Sequence, residues 1–320
     1  MKKVFTVIGV ALVLFVVGVA VYVASRQHLK FEAPFPAVTT SADSAVIARG
    51  HYVVRSLAGC AQCHGDPSQM ERSMAGEEVP LSGGFEFAIP PGKFYARNIT
   101  PDPETGIGRF EDRAIARALR YGVGHDGRAL LPFMEMQGLS DEDLTAVVSY
   151  LKSQPPVSNP VPAHKPNLLG RIVIATVLAN PVSPKETPPT ASPRGASVET
   201  GHYLVEAVAN CWACHTERNM QTGQLVGARY SGGIMPDERN HKRTWLPPNI
   251  TSEATTGRLA KFTEDEFVAR FRAGRVIPES PMPWQVFRTM TDDDLRSVYR
   301  YLKTVPPVVR DMGPPFKDAP

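Results

Sequence analysis

The chain has 320 residues, 42% of them hydrophobic and 21% charged, with 30 prolines and a formal net charge of +3. The length allows two compact domains, the ordinary apolar content argues against a disordered chain, and so small a charge gives no case for a nucleic-acid surface. The proline content points to irregular loops and stiff linkers.

The first stretch, MKKVFTVIGVALVLFVVGVAVYVASRQ, carries no charge from Val4 to Ala24, a run of 21 residues. As a helix it would extend about 30 Å, the thickness of a bilayer's hydrocarbon core. A cleaved leader is the competing reading, but its apolar region is normally only about 7–15 residues and ends in small residues. Ala20-Val21-Tyr22 does not offer such a site, and Val23-Ala24-Ser25 comes nearer. The expectation is an uncleaved membrane anchor over residues 1–25. The flanking charges, Lys2 and Lys3 against Arg26 and Lys30, barely decide its orientation.

A helical stretch from Ser44 to Leu57 then runs into 60-CAQCH-64, followed by a Gly/Pro-rich excursion from Gly65 to Arg109. Phe110 to Tyr121 has acids near its start and apolar residues at helical spacing, Ile115 and Leu119. The segment 122-GVGHDGR-128 is rich in turn residues, with His125 expected in solvent, and 130-LLPFMEM-136 carries two methionines. A further helix, 140-SDEDLTAVVSYLK-152, has Ser140 as its N-cap and acids at the positive end of its dipole, and Pro155 ends it. The linker 158–196 contains one apolar segment, 168–179, too short to cross a bilayer. It is expected either to pack between domains or to rest on the membrane or a partner subunit.

Beyond the linker the same plan recurs. Cys211 lies 151 positions after Cys60, and so does His215 after His64. The same offset relates 50-GHY-52 to 201-GHY-203, 98-NIT-100 to 249-NIT-251, and 150-YLK-152 to 301-YLK-303. The chain is a tandem duplication with units over 41–157 and 197–309 and a tail over 310–320. In the second unit, 262-FTEDEFVARFRAG-274 pairs Thr263 with Glu266 as a capping box and stops at Gly274, and Thr291 caps the last helix. No strand pattern stands out, so the expected fold is all-α, two small helical domains behind the anchor.

Each unit carries one Cys-x-x-Cys-His, and together the two motifs use all four cysteines. A redox dithiol normally sits within a βαβ pattern. A split zinc site could draw on four sulfurs but leaves the following histidine unexplained. Covalent attachment of a c-type haem accounts for the whole motif. Two sulfurs add to the two vinyl groups, and the next histidine lies under the iron. The expected cofactors are therefore two haems, held by Cys60, Cys63 and His64 and by Cys211, Cys214 and His215. Such attachment takes place outside the cytoplasm, so the residues after 25 are expected in the periplasm, with the anchor in the bacterial inner membrane.

For the opposite face of each iron, Met282 in 281-PMPW-284 is the candidate in the second unit. Shifting back by 151 reaches Leu131, which cannot ligate, so Met134 is the first-unit candidate, with Met136 next. Met70, Met74, Met220, Met235 and Met290 are read as packing or surface residues. Tyr52, Tyr150, Tyr203 and Tyr301 are expected where the first and last helices of each unit cross, with Gly50 and Gly201 permitting close approach. His51 and His202 are expected on a helix surface. Asn98 and Asn249 could bond a haem propionate or simply build a loop turn.

With these residues in view, the chain resembles the membrane-anchored dihaem c-type cytochromes built from two class I cytochrome c domains. The blocks 97-RNITPDPETGIGRF-110, 139-LSDEDL-144 and 150-YLKSQPPV-157 resemble the domains of cytochrome c subunits in bacterial membrane dehydrogenases. The likeness covers 41–157 and 197–309. It implies electron transfer by two covalent haems, with His64 and His215 as proximal ligands, from a dehydrogenase subunit to a cytochrome or a terminal oxidase. Nothing in it implies a catalytic residue or nucleic acid. In that family the distal methionine often precedes proline; Met282 does, whereas Met134 precedes Glu135. Subunits of that family often carry three haems, and two motifs are present here. A haem enzyme with an open position at the first haem, peroxidase-like or thiosulfate-oxidising, is the alternative.

Overall fold

The computed structural model describes residues 2–176, 180–219, 224–237 and 242–318. Met1, Met220, the last three residues of the apolar linker segment and the end of the tail lie outside the described residues.

The uncharged N-terminal run forms one helix, α1 (Lys2–Ser25), exposed from Lys3 to Tyr22. The first repeat begins with α2 (Ser44–Tyr52), capped by the Asp43 carboxylate accepting the Ala45 N–H. It continues into a π-helical turn, Val53–Leu57, and then α3 (Ala61–His64) and α4 (Met70–Ala75). A hairpin follows, β1 (Glu86–Ile89) and β2 (Gly92–Tyr95), before α5 (Asp112–Tyr121) and α6 (Asp141–Ser153). The linker supplies β3 (Lys165–Pro166) and α7 (Leu168–Thr176).

The second repeat has α8 (Val198–Tyr203), another π-helical turn at Leu204–Val208, and α9 (Trp212–His215). Strands β4 (Met235–Pro236) and β5 (Arg243–Trp245) precede α10 (Glu264–Arg272), α11 (Trp284–Phe287) and α12 (Asp292–Thr304). The tail ends in β6 (Phe316–Asp318). The capping box at Thr263 and Glu266 forms as expected, as do the caps at Ser140 and Thr291.

In each repeat the first helix crosses the last at a glycine. A Cβ at Gly50 would overlap the carbonyl oxygen of Ala146, and one at Gly201 would overlap that of Ser297. Tyr150 and Tyr301 pack beside these crossings, edge-on to His51 and His202 at 5.2 and 5.1 Å. His125 is exposed and stacks on Phe110.

The fold is helix-rich but not all-α. Among the described residues, β1, β2 and β3 form one antiparallel sheet, and β4, β5 and β6 another. Strands of two to four residues are too short to show alternation in a sequence. The third strand of each sheet is also recruited from beyond the repeat's last helix, so no local pattern announces it.

Tyr52 and Tyr203 depart from expectation more sharply, because they reach across the repeats. The Tyr52 hydroxyl donates to Asp294 (2.5 Å) and accepts the Thr291 N–H (2.8 Å) at the start of α12. Tyr203 donates to Asp143 (2.8 Å) and accepts the Ser140 N–H (3.0 Å) at the start of α6. Each repeat thus helps to cap the other's final helix. The relation extends to Ser56 with Thr289 and to its counterpart, Ala207 against Gly138. Equivalent positions meet in reciprocal pairs, so the repeats are joined by a pseudo-twofold interface. One continuous hydrophobic cluster includes Leu57 and Leu144 from the first repeat and Val208 and Leu295 from the second.

Among the described residues, the linker helix makes its contacts with the first repeat and the end of α1 rather than between the repeats. Gly170 is pressed against the Pro91 carbonyl, and the helix meets the end of α1 through Arg26 and Gln27.

Candidate haem sites

The local path into each motif is the same. The π-helical turn widens the helix by one residue per turn, a distortion frequent at functional sites. A left-handed residue, Gly59 (φ 64°) or Asn210 (φ 49°), then turns the chain so that a new one-turn helix begins at the first cysteine. The Cys60 N–H is held by the Val54 carbonyl and the Cys211 N–H by that of Val205, both at 3.1 Å. His64 donates its N–H to the Cys60 carbonyl (2.8 Å) and His215 to that of Cys211 (3.0 Å), closing the turn. Positions i, i+3 and i+4 of a helical turn share a face, so two sulfurs and one imidazole are presented together.

The imidazoles are oriented from behind. His64 Nδ1 lies 2.7 Å from the Arg97 carbonyl oxygen, and His215 Nδ1 lies 2.8 Å from that of Pro248. A carbonyl only accepts, so Nδ1 carries the proton and Nε2 keeps its lone pair. Burial, opposed by the carbonyl bond, lowers the pKa of both rings and keeps them neutral. A neutral imidazole with one nitrogen anchored and the other free is prepared to ligate a metal. Sequence reasoning missed these partners, because a backbone carbonyl leaves no mark in residue identity.

None of the four cysteines is joined in a disulfide. Burial pushes the Cys60 thiol up to about 11 and the Cys211 thiol up to about 12, and it raises Cys214 as well. A redox dithiol needs the opposite shift. Among the described residues no group of three or more His, Cys, Asp or Glu side chains could hold a metal ion, so no shared zinc site is assembled. The donor set in each repeat fits a c-type haem: two thiols at the right spacing, one neutral imidazole aimed from the same turn, and an apolar surround.

The methionine loops are held by arginines that sequence reasoning also missed. Arg120, buried in α5, donates to the carbonyls of Gln137 and Leu139 and pairs with Asp141. Arg272 in α10 does the same for Arg288, Met290 and Asp292. Met282 and Met136 pack against the central cluster alongside Cys60 and Cys211. Met134 lines a small cavity with Ala118, Leu131 and Val182, and its carbonyl accepts from Gln137 (3.0 Å). The second loop forms α11 where the first has turns, so the two loops differ in shape as well as in sequence. Each packs on the other repeat's attachment turn. Asn210 donates to the Glu135 carbonyl (2.8 Å), and Val286 lies against Gly59.

One equivalent pair carries opposite charge. Arg55, just before Cys60, donates to the Tyr150 hydroxyl (3.0 Å), while Glu206, 151 positions later, accepts from the Tyr301 hydroxyl (2.7 Å). Glu206 also pairs with Arg229, whereas Arg55 bonds Val79 and Gln154 and lies 3.9 Å from the exposed Glu78. Asn98 and Asn249 are buried, and their amides donate to the carbonyls of Val157 and Val308. Both side chains build the loop turn.

Comparison with known proteins agrees with this donor chemistry. Residues 198–306 match the cytochrome c family. The chain is 31% identical over 297 residues to the cytochrome c subunit of a quinone-type alcohol dehydrogenase from Gluconobacter oxydans, covering 83% of this chain and 56% of that one. It is 30% identical over 296 residues to the gluconate 2-dehydrogenase cytochrome c subunit of Pantoea cypripedii, covering 82% and 60%. A diheme c-type cytochrome of Cereibacter sphaeroides is 26% identical over 277 residues, covering 78% and 83%. The chain spans between half and two thirds of the two dehydrogenase subunits.

Proposed function

We propose, from the premise that residues 198–306 are a cytochrome c domain in a chain homologous to cytochrome c subunits of dehydrogenases, that this protein is a dihaem electron carrier. In this reading the cytochrome c domains are 41–157 and 197–309. Cys60 and Cys63 hold one haem covalently, with His64 on its iron, and Cys211, Cys214 and His215 hold the other. Haem c supplies a one-electron iron couple when bound. The chain's own part is to attach it, fix the proximal imidazole and keep water from the iron.

The observation that carries the proposal is the repeated imidazole anchor. His64 on Arg97 and His215 on Pro248 use equivalent carbonyls, so the first repeat has the geometry of the one that matches the family. Electrons would enter from a dehydrogenase subunit and leave to a downstream cytochrome or a terminal oxidase. The interface, with each methionine loop on the other repeat's attachment turn, favours exchange between the haems. The α1 helix would hold the protein in the inner membrane, with both haems in the periplasm.

Met282 is proposed as the distal ligand of the second haem and Met134 as that of the first, with Met136 the competing donor. Absorption and magnetic circular dichroism of Met282→Ala, Met134→Ala and Met136→Ala test this. Met282→Ala should turn one haem high-spin, and Met134→Ala the other. A first haem already high-spin in the unaltered protein, and open to carbon monoxide, would favour the enzyme reading instead.

A further inference from the structure

Helix α7 has an apolar face that no part of the described chain covers. Leu168 is 74% exposed, Leu169 50% and Ile172 38%, on consecutive turns of one side. The opposite side is fixed: Gly170 is buried against the Pro91 carbonyl, and Ala175 is fully buried. Asn167 holds the helix start, accepting the Gly170 N–H (2.9 Å) and donating to the Pro90 carbonyl (2.8 Å). With β3 paired to β2 just before it, α7 cannot rotate its leucines inward. Water is an unfavourable neighbour for such a cluster, and so rigid a placement implies an occupant.

Position on the chain says which. The far end of α7 is joined to the end of α1: Arg26 Nε donates to the Ala175 carbonyl (2.8 Å), and Gln27 donates to that of Arg171 (3.0 Å). Within Lys3–Ser25 of α1, an 18-residue window has a mean hydropathy of 3.0, and none of it is buried. The last turn of α1 carries Tyr22 with Arg26 over its ring (5.3 Å), an aromatic–cation pair suited to a headgroup layer. The exposed face of α7 therefore starts where α1 would leave the hydrocarbon. Exposed Arg171 within α7 and Lys30 just beyond α1 add positive charge at the same level.

We propose that α7 is an interfacial helix. Leu168, Leu169 and Ile172 would enter the outer edge of the bilayer beside α1 and fix the tilt of the first repeat over the membrane. The occupant is lipid at the acyl–headgroup boundary, and the proposal rests on the reading of α1 as a membrane anchor.

The test uses the full chain with both haems in vesicles of phosphatidylethanolamine and phosphatidylglycerol. Photoactivatable phospholipids carry a diazirine either near the glycerol end or at the methyl end of an acyl chain, and labelled residues are mapped by peptide mass spectrometry. The shallow probe should label α7 at Leu168, Leu169 and Ile172, and the deep probe should label the middle of α1 only. Val309, 76% exposed in the second repeat, should take neither. Replacing the three α7 residues by serine should abolish shallow labelling of α7 while deep labelling of α1 stays unchanged. Deep labelling of α1 with none on α7 overturns the inference and leaves the anchor standing. No deep labelling of α1 overturns both. Labelling of α7 in pure lipid that disappears in native membranes would assign the face to a protein, which also overturns it.

Discussion

Replacing Tyr203 by Phe should cost the protein far more stability than the equivalent Tyr52→Phe, although both tyrosines make the same two hydrogen bonds. Tyr203 is buried, and its hydroxyl serves two buried groups: it donates to Asp143 and accepts from the Ser140 N–H. Burial, and then the Asp143 charge, hold the phenol protonated, so it acts as donor to the carboxylate. A hydrogen bond to a charged group contributes about 1.5–3 kcal/mol, and a buried N–H left without an acceptor costs about 1–3 kcal/mol. Asp143 keeps its two contacts with Arg49, at 2.7 and 2.8 Å, so its charge is not stranded. The losses overlap, and a total of roughly 3 kcal/mol is expected. Around Tyr52 the partners Thr291 and Asp294 reach solvent, and water can replace the lost hydroxyl. Its loss should be about 1 kcal/mol or less. Denaturant unfolding of the haem-loaded chain, followed by far-ultraviolet circular dichroism and the Soret band, measures both. Equal losses, or less than about 0.5 kcal/mol for Tyr203→Phe, would refute the cross-capping argument, for which the expected range is set by the same hydrogen-bond magnitudes.

Other consequences arise from the same structure. Gly50→Ala or Gly201→Ala forces the first helix of its repeat off the last; each should destabilise by about 3 kcal/mol or more and lower haem content, read as haem per purified chain. Arg55→Gln should lower the potential of the first haem and Glu206→Gln raise that of the second, each by about 1–2 kcal/mol, or roughly 40–90 mV for one electron, in spectroelectrochemical titration. Glu253 accepts from the side chains and N–H groups of Thr255 and Thr256; the Thr256 hydroxyl first, then the N–H groups, pull its pKa from 4.5 down to about 2. A depressed carboxylate stabilises above its unfolded pKa and ceases to as pH falls through its folded one. The stability gap between the unaltered protein and Glu253→Ala should thus be constant above about 4.5 and close progressively toward about 2; a gap independent of pH would contradict the assignment.

Much of this was legible because the chain repeats. The offset of 151 identified both attachment motifs, both helix caps and both glycine crossings from residue identities alone. Local chemistry determines such features: a hydroxyl before an acid cluster caps a helix, and a glycine without a Cβ permits close approach. What escaped was set by distant chain. Tyr52 and Tyr203 look like intra-repeat packing residues because nothing within a repeat reveals that its twin supplies the partner. The small sheets depend on Lys165–Pro166 and Phe316–Asp318, beyond the last helix of each repeat. The carbonyls of Arg97 and Pro248, which orient the two imidazoles, belong to backbone and could not be read from side chains. The linker helix was legible as apolar, but its docking on the end of α1 was not.

Both repeats should hold covalent haem, and everything proposed for the two sites depends on that. Intact-mass spectrometry of the chain, produced in cells that carry out c-type haem attachment, decides it, alongside Cys60→Ala/Cys63→Ala and Cys211→Ala/Cys214→Ala variants. Two haem additions are expected on the unaltered chain and one on each variant. A single addition on the unaltered chain, lost only with Cys211 and Cys214, would show that the first repeat carries no haem.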